Sequence, residues 1–260
     1  MKRPITYHLA RLVRALSLTP RPHTAAVVLA GGVGSRMGNT GGVAKQWLEI
    51  GGISLLERAV RAFEECPHID EIVVVVRRGE GESAATLLRA MGTKKVRAVV
   101  AGGKTRQHSA YNGARRVSKG TRYIAIHDAA RPFVAPSDIS AVVTAAYIEK
   151  AASLGVPMTD TVKRVDTRNY VVETKDRSEL WLAATPQVFS YPMYMAAATS
   201  ALKAGRTVTD DNMLMEHIGQ RVRMIAAKGE VLKITTPRDL RLAEALAEHR
   251  REEEDDDDTV

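Results

Sequence analysis

Apolar residues in this chain gather in short runs, and the stretches between them carry a helical period. The runs predict strands over Ala25–Ala30, Ile72–Val76, Arg97–Val100, Tyr123–Ile126, Ala151–Val156, Val222–Ile225 and Val231–Ile234. Helices are expected over Ser54–Glu65, Glu82–Met91, Gln107–Val117, Asp138–Lys150, Pro192–Lys203, Asp210–His217 and Arg238–Arg250, with Ser54 and Asp138 as N-caps. Strands and helices alternating in this way predict an α/β fold built on a mostly parallel sheet.

The rhythm breaks between Pro157 and Trp181. There Val162–Val165 and Tyr170–Glu173 read as two short strands around the turn Asp166-Thr-Arg-Asn169. A hairpin inserted late in an α/β domain predicts an arm that reaches a partner subunit. The chain therefore divides into an N-terminal extension (1–23), one domain (24–250, with the arm at 157–181) and an acidic tail (251–260) that reads as disordered.

Composition narrows the partners. The longest apolar runs are strand length, far short of the roughly 20 residues that span a bilayer, so no membrane association is expected. Cys66 is the one cysteine of 260 residues, which excludes an intramolecular disulfide and a cysteine-rich zinc site and points to a reducing cytoplasm. It reads as a structural thiol. The formal charge is +8, but Glu252–Asp258 contributes seven acids, so residues 1–251 hold 38 basic side chains against 23 acidic ones. Such a surplus suits nucleotide phosphates or a nucleic acid. Aromatics are only 5% and the cations follow no stripe, which argues against a nucleic-acid partner. The first 48 residues lack acids, and Leu9, Leu12, Val13 and Leu16 share one helical face beside Lys2, Arg3, Arg11 and Arg14. That composition resembles a transit peptide, and reads more simply as a surface extension.

The chemistry begins where the first strand meets Gly31-Gly-Val-Gly-Ser-Arg-Met-Gly38. Glycines at such a junction let backbone N–H groups approach a polyphosphate. A dinucleotide fingerprint would require Gly at Met37 and an acid after the next strand, and both are missing. The loop instead carries Arg36 and is followed by Lys45, two cations suited to a departing pyrophosphate. The later Gly102-Gly-Lys-Thr105 is not a P-loop, because Ala98 stands where its first glycine belongs. No His, Asp and Glu spacing suggests a zinc or iron site, and His127 reads as structural.

In order along the chain, Ala30-Gly-Gly-Val-Gly-Ser-Arg36, Lys45-Gln46, Gly102-Gly103, Arg106, Ser109, His127-Asp-Ala-Ala-Arg-Pro132, Asp160-Thr-Val-Lys163, Thr185-Pro-Gln187, Thr209-Asp-Asp211 and Lys233-Ile-Thr-Thr236 resemble the 2-C-methyl-D-erythritol 4-phosphate cytidylyltransferase family. The ribitol-5-phosphate cytidylyltransferases, close relatives, share the framework. Ala44 and Lys104 depart from the family pattern, which has proline and an acid there.

The resemblance implies a Rossmann-like nucleotidyltransferase fold, with a twisted, mostly parallel sheet flanked by helices and a β-hairpin arm for dimerisation. It implies CTP and a sugar-alcohol phosphate as substrates, Mg²⁺ or another divalent cation as cofactor, and a homodimer. Catalytic roles fall on Arg36 and Lys45, holding the β- and γ-phosphates, and on Lys233 near the α-phosphate. Ala30, Gly31, Gly32, Gly103, Ser109 and Asp128 would meet the nucleotide, with Asp128 a candidate for the metal or the ribose. The acceptor would lie among Asp128, Arg131, Thr185 and Lys233, with Thr161 and Arg177 supplied by the partner's arm. In-line transfer between two anions needs charge neutralisation and alignment, not a covalent nucleophile.

Overall fold

The structure is a computed structural model and describes residues 20–32 and 43–257. The helical face expected at Leu9, Leu12, Val13 and Leu16, the cations beside it, and Arg36 with its loop lie outside the described residues.

Seven strands form one sheet in the order β11-β7-β10-β6-β1-β4-β5. They are β1 (Thr24–Ala30), β4 (Glu71–Val76), β5 (Val96–Ala101), β6 (Tyr123–Asp128), β7 (Ala151–Pro157), β10 (Trp181–Ser190) and β11 (Arg223–Ala226). β1 runs parallel to β4 and β6, β4 to β5, and β7 to β11. β10 alone is antiparallel, lying between β6 and β7. Two small hairpins complete the strands: β2 (Glu49–Ile50) with β3 (Ile53–Ser54), and β8 (Lys163–Val165) with β9 (Val171–Thr174).

The helices are α1 (Leu55–Glu65), α2 (Gly81–Ala90), α3 (Arg106–Ala114), α4 (Pro136–Glu149), α5 (Tyr191–Lys203), α6 (Asn212–His217) and α7 (Pro237–Asp257). They cover both faces of the sheet, and this explains the unbroken apolar runs: every residue of β4 and β6 is buried. One core cluster holds Val28, Val74 and Ala125 against Phe63 of α1 and Val142 of α4. The other holds Val27, Val75 and Ile124 against α3 and Tyr194 of α5. Gly113 is required where α3 crosses the sheet, since a Cβ there would stand 2.5 Å from Val27 and 2.7 Å from Val75. No helix among the described residues is long and apolar enough to cross a membrane.

Ser54 caps α1 as expected, its hydroxyl accepting from the Glu57 amide at 3.1 Å. Asp138 does not cap α4. That helix starts with Pro136 after Ala135, and the buried Asp138 carboxylate accepts from the Lys228 and Gly229 amides, tying the turn after β11 to the helix. The expected strand at Val231–Ile234 is an extended segment without a ladder. Its backbone is held at two points by the loop after β6: the Ile234 amide donates to the Ala130 carbonyl (2.8 Å) and Arg131 donates to the Val231 carbonyl (2.6 Å).

β10 went unpredicted because Pro186 breaks its pattern. The ladder with β7 shifts register between Ala183 and Gln187, around the cis Thr185-Pro186 bond. The tail also differs from expectation, for α7 continues through the acidic run as far as Asp257. Arg and Glu are good helix formers, and no Gly or Pro interrupts them. The free Cys66 is buried, with Sγ 3.3 Å from the Ser140 hydroxyl, as a structural thiol should be.

Candidate active site

Sheet register sets the site. Ala30 pairs with Val76, Val76 with Ala101, and Leu29 with Asp128, so four strands end side by side at one carboxyl edge. Open parallel sheets bind ligands outside this edge. Here the chain turns at Gly31-Gly32 after β1, at Gly102-Gly103 after β5 and at Ala129 after β6.

The Gly102-Gly103 turn is built for closeness. A Cβ on Gly103 would fall 2.4 Å from the His108 Cβ. The Gly103 amide donates to the Ser109 hydroxyl at 3.1 Å, and that hydroxyl donates to the Thr105 carbonyl at 2.9 Å. Ser109 thus shapes the turn from within α3. On the other flank, Lys45 opens a short 3₁₀ turn, Lys45–Trp47, whose buried Gln46 donates to Glu80 beyond β4. That bond fastens the segment carrying Lys45 to the sheet edge.

At the centre is Asp128, the last residue of β6. Its Oδ2 accepts from the Lys233 ammonium at 2.8 Å and its Oδ1 from Arg106 Nε at 2.9 Å. Arg106 continues inward through Nη1 to Asp211 Oδ2 at 2.6 Å. Asp211, 1% exposed, is fixed in turn by the Tyr194 hydroxyl (3.0 Å) and by its own amide donating to Gln187 Oε1 (2.8 Å). The chain of charges runs Lys233, Asp128, Arg106, Asp211, from the rim to the core. Carboxylates this buried persist only where cations and donors match them. Burial pushes the Asp128 carboxyl up, but Arg106 and Lys233 together outweigh it and hold the group well below the usual carboxylate range. Burial likewise disfavours the Arg106 charge, and Asp211 and Asp128 outweigh that and keep it fully protonated.

A second, neutral set orients the backbone. The Asp128 amide donates to the Thr185 hydroxyl (3.1 Å), which meets His127 Nδ1 at 3.1 Å, while His127 Nε2 reaches the Arg131 carbonyl at 3.2 Å. These contacts are consistent with Thr185 O–H donating to Nδ1 and Nε2–H donating to Arg131. Burial pulls the His127 pKa down to about 4, so the imidazole is neutral at pH 7 and serves structure. Arg131 reaches the Val231 and Ala183 carbonyls through Nη1 (2.6 Å) and Nη2 (3.2 Å), bracing the segment that carries Lys233 against β10.

Of the residues singled out in the sequence, Asp128, Arg131, Thr185 and Lys233 form one cluster. Ala30, Gly31, Gly32, Gly103, Ser109 and Lys45 border it along the sheet edge. Thr161 and Arg177 stand apart on the exposed arm, where Arg177 donates to the Thr159 carbonyl at 2.6 Å. Neither hydrogen-bonds to the Asp128 cluster within the described residues. Sequence reasoning gave no role to Asp211 or to Gln187, and treated Arg106 as a motif letter. Their signal was charge and amide groups inside motifs bordering apolar elements.

A mostly parallel sheet with a glycine turn, a matched carboxylate and a rim lysine at one carboxyl edge fits a nucleotidyltransferase of the α/β class. Residues 24–249 match the family model described as IspD: 2-C-methyl-D-erythritol 4-phosphate cytidylyltransferase, and the chain belongs to that family. It is 41% identical over 228 residues to the 2-C-methyl-D-erythritol 4-phosphate cytidylyltransferase of Pelotomaculum thermopropionicum, covering 87% of this chain and 95% of the relative. The Symbiobacterium thermophilum protein of the same description is 42% identical over 222 residues, covering 85% and 92%. Among solved structures, 4-diphosphocytidyl-2C-methyl-D-erythritol synthase from Anaerococcus prevotii superposes with a TM-score of 0.77 at 28% identity, covering 87% of this chain and 96% of that one. The Thermus thermophilus cytidylyltransferase gives 0.70 at 30% identity, covering 87% and 99%.

Proposed function

We infer that the chain transfers CMP from CTP to 2-C-methyl-D-erythritol 4-phosphate, releasing pyrophosphate and yielding 4-CDP-2-C-methyl-D-erythritol for isoprenoid synthesis. The single observation that carries the chemistry is Lys233 paired with Asp128 at the carboxyl edge, beside the glycine turn after β1.

The acceptor phosphate is already ionised, so it needs alignment and charge neutralisation, not a base. Lys233, 39% exposed, is the cation free to turn from Asp128 toward the α-phosphate as negative charge gathers there. Arg36 and Lys45 would take the β- and γ-phosphates and stabilise the leaving pyrophosphate. Gly31, Gly32 and the Gly103 turn offer backbone groups to cytosine and ribose. Ala30 ends the strand beneath them, and Ser109 pins the Gly103 turn. Arg131, Thr185 and Asp128 would frame the acceptor, completed by Thr161 and Arg177 from a second subunit's arm.

A divalent cation fits this donor set in one way. No group of three or more His, Cys, Asp or Glu among the described residues could cage a metal. Mg²⁺ commonly keeps phosphate and water ligands and needs only one or two carboxylates, and Asp128 is the carboxylate in reach. Its chemistry when bound would be neutralisation of the triphosphate. A homodimer through the arm and a cytoplasmic setting complete the proposal, supported by the exposed apolar residues of the arm and by the single, buried Cys66.

The test is pyrophosphate release from CTP and Mg²⁺ with methylerythritol 4-phosphate or, separately, ribitol 5-phosphate. Turnover with the first alone is expected. Turnover with ribitol phosphate alone would move the acceptor to the sister reaction, and turnover with neither would overturn the assignment.

A further inference from the structure

Two nitrogens of Arg106 are engaged by carboxylates 22 and 105 residues further along the chain. Its Nε holds Asp128 and its Nη1 holds Asp211. Asp211 cannot follow a moving Arg106, because the buried Tyr194 hydroxyl and Gln187 fix it. Tyr194 is itself locked, fully buried and stacked on Phe189 with ring centroids 5.6 Å apart. Arg106 is also the first residue of α3, directly after the Gly102–Thr105 turn. One side chain thus joins three parts of the site: the turn after β5, the end of β6 and the anchor before α6.

Resting on the reading above, we propose that Arg106 is a positioning residue for the transfer step. It holds Asp128 at one angle while Lys233 leaves that carboxylate for the phosphate. The need follows from the geometry. Asp128 has two hydrogen-bonded cationic partners. Once Lys233 turns to the substrate, Arg106 is the hydrogen-bonded cation that remains to hold Asp128 in place. Without Arg106, Asp128 would keep Lys233 as its one hydrogen-bonded cation and compete with the phosphate for it. The cost falls on the chemical step and not on nucleotide binding, because Lys233 is needed most where charge develops.

The experiment compares wild type, Arg106→Ala and Arg106→Lys. It measures kcat and both KM values by pyrophosphate release, CTP affinity by calorimetry, and folding by thermal melts. Arg106→Ala is expected to lose roughly 100-fold in kcat, the order associated with a misplacement of about 1 Å, and to bind CTP within about threefold of wild type. Arg106→Lys, which keeps the charge and one carboxylate contact, is expected to regain about tenfold of that loss. It is also the variant to read if the alanine protein melts below assay temperature.

The proposal is overturned if folded Arg106→Ala turns over like wild type. It is overturned equally if the loss sits in CTP affinity alone, or if lysine restores folding but no kcat. A wild-type protein without turnover overturns the reading of the site itself, and this role with it. Wild-type turnover with an unchanged alanine variant removes only the role of Arg106.

Discussion

The carboxyl edge of the sheet and the arm dispose of their side chains in opposite ways. At the edge, charged groups are buried and matched: Asp128 and Asp211 are 8% and 1% exposed, the first meeting two cations and the second a cation and the Tyr194 hydroxyl, all from the same chain. On the arm, apolar groups are exposed: Tyr170 is 70% exposed, Val171 61% and Val172 50%. Its polar contacts are short-range, such as Asp166 accepting from the Arg168 and Tyr170 amides. The buried charges of the edge are matched within one chain. A two-stranded hairpin with no core of its own is marginal in water, so the arm makes sense as half of a contact. The difference separates the buried charge network, which one chain assembles, from the exposed surface that would meet a second chain.

The hardest blow to the edge is Lys233→Ala. Loss of a charge aimed at the transition state is expected to lower the rate by about 10²–10³-fold, with the melting temperature nearly unchanged, as a half-exposed lysine allows. A rate within fivefold of wild type, by pyrophosphate release, would remove Lys233 from the mechanism.

Acid separates the two regions next. The His127 pKa lies near 4 in the fold and at about 6.5 in the unfolded chain, so protonation favours unfolding. Its contribution is whole above pH 6.5 and is lost as pH falls toward 4, a loss of roughly 3 kcal/mol. Urea melts across that window should show the loss in wild type and a flatter dependence in His127→Gln. Parallel curves for the two proteins would contradict it.

Smaller effects sharpen the contrast from the other side. Tyr170→Asp on the arm is expected to weaken self-association by about tenfold, near 1.4 kcal/mol, in sedimentation velocity, while one protomer's fold survives. An unaltered dissociation constant would clear Tyr170 of any interface. Least of all, Ser54→Ala should shift the urea midpoint by about 1 kcal/mol through its lost cap. Asp176→Ala, the corresponding cap on the exposed arm, should leave that midpoint where it is.

The sequence made the edge legible in part. Runs such as Ile72–Val76 announce strands buried on both faces, and the glycines after Ala30 announce a turn that admits phosphate. The hairpin around Asp166–Asn169 was readable from its turn residues, and Asn169 does adopt a positive φ of 67°. What escaped was set by tertiary structure. β10 hides behind Pro186, which a local rule removes from a strand and which the register shift accommodates. Val231-Leu-Lys-Ile234 alternates like a strand, but Ala130 and Arg131 take its backbone one contact at a time. Arg106 meets carboxylates 22 and 105 residues away, a pairing that no periodicity encodes.

β10 has one more consequence. Trp181 pairs with Pro157 at the root of the arm, and the Met158 amide donates to the Leu180 carbonyl at 2.9 Å. The whole excursion therefore begins and ends at one clasped point on the sheet, like a cassette in a fixed socket. Closing a longer loop over the same point costs only about 0.6 kcal/mol for each doubling in length. The tip of the arm, between Thr161 and Arg177, can be lengthened while strands β6, β7 and β10 keep their register. In such a molecule the outermost surface can change its reach while the sheet edge stays where it is.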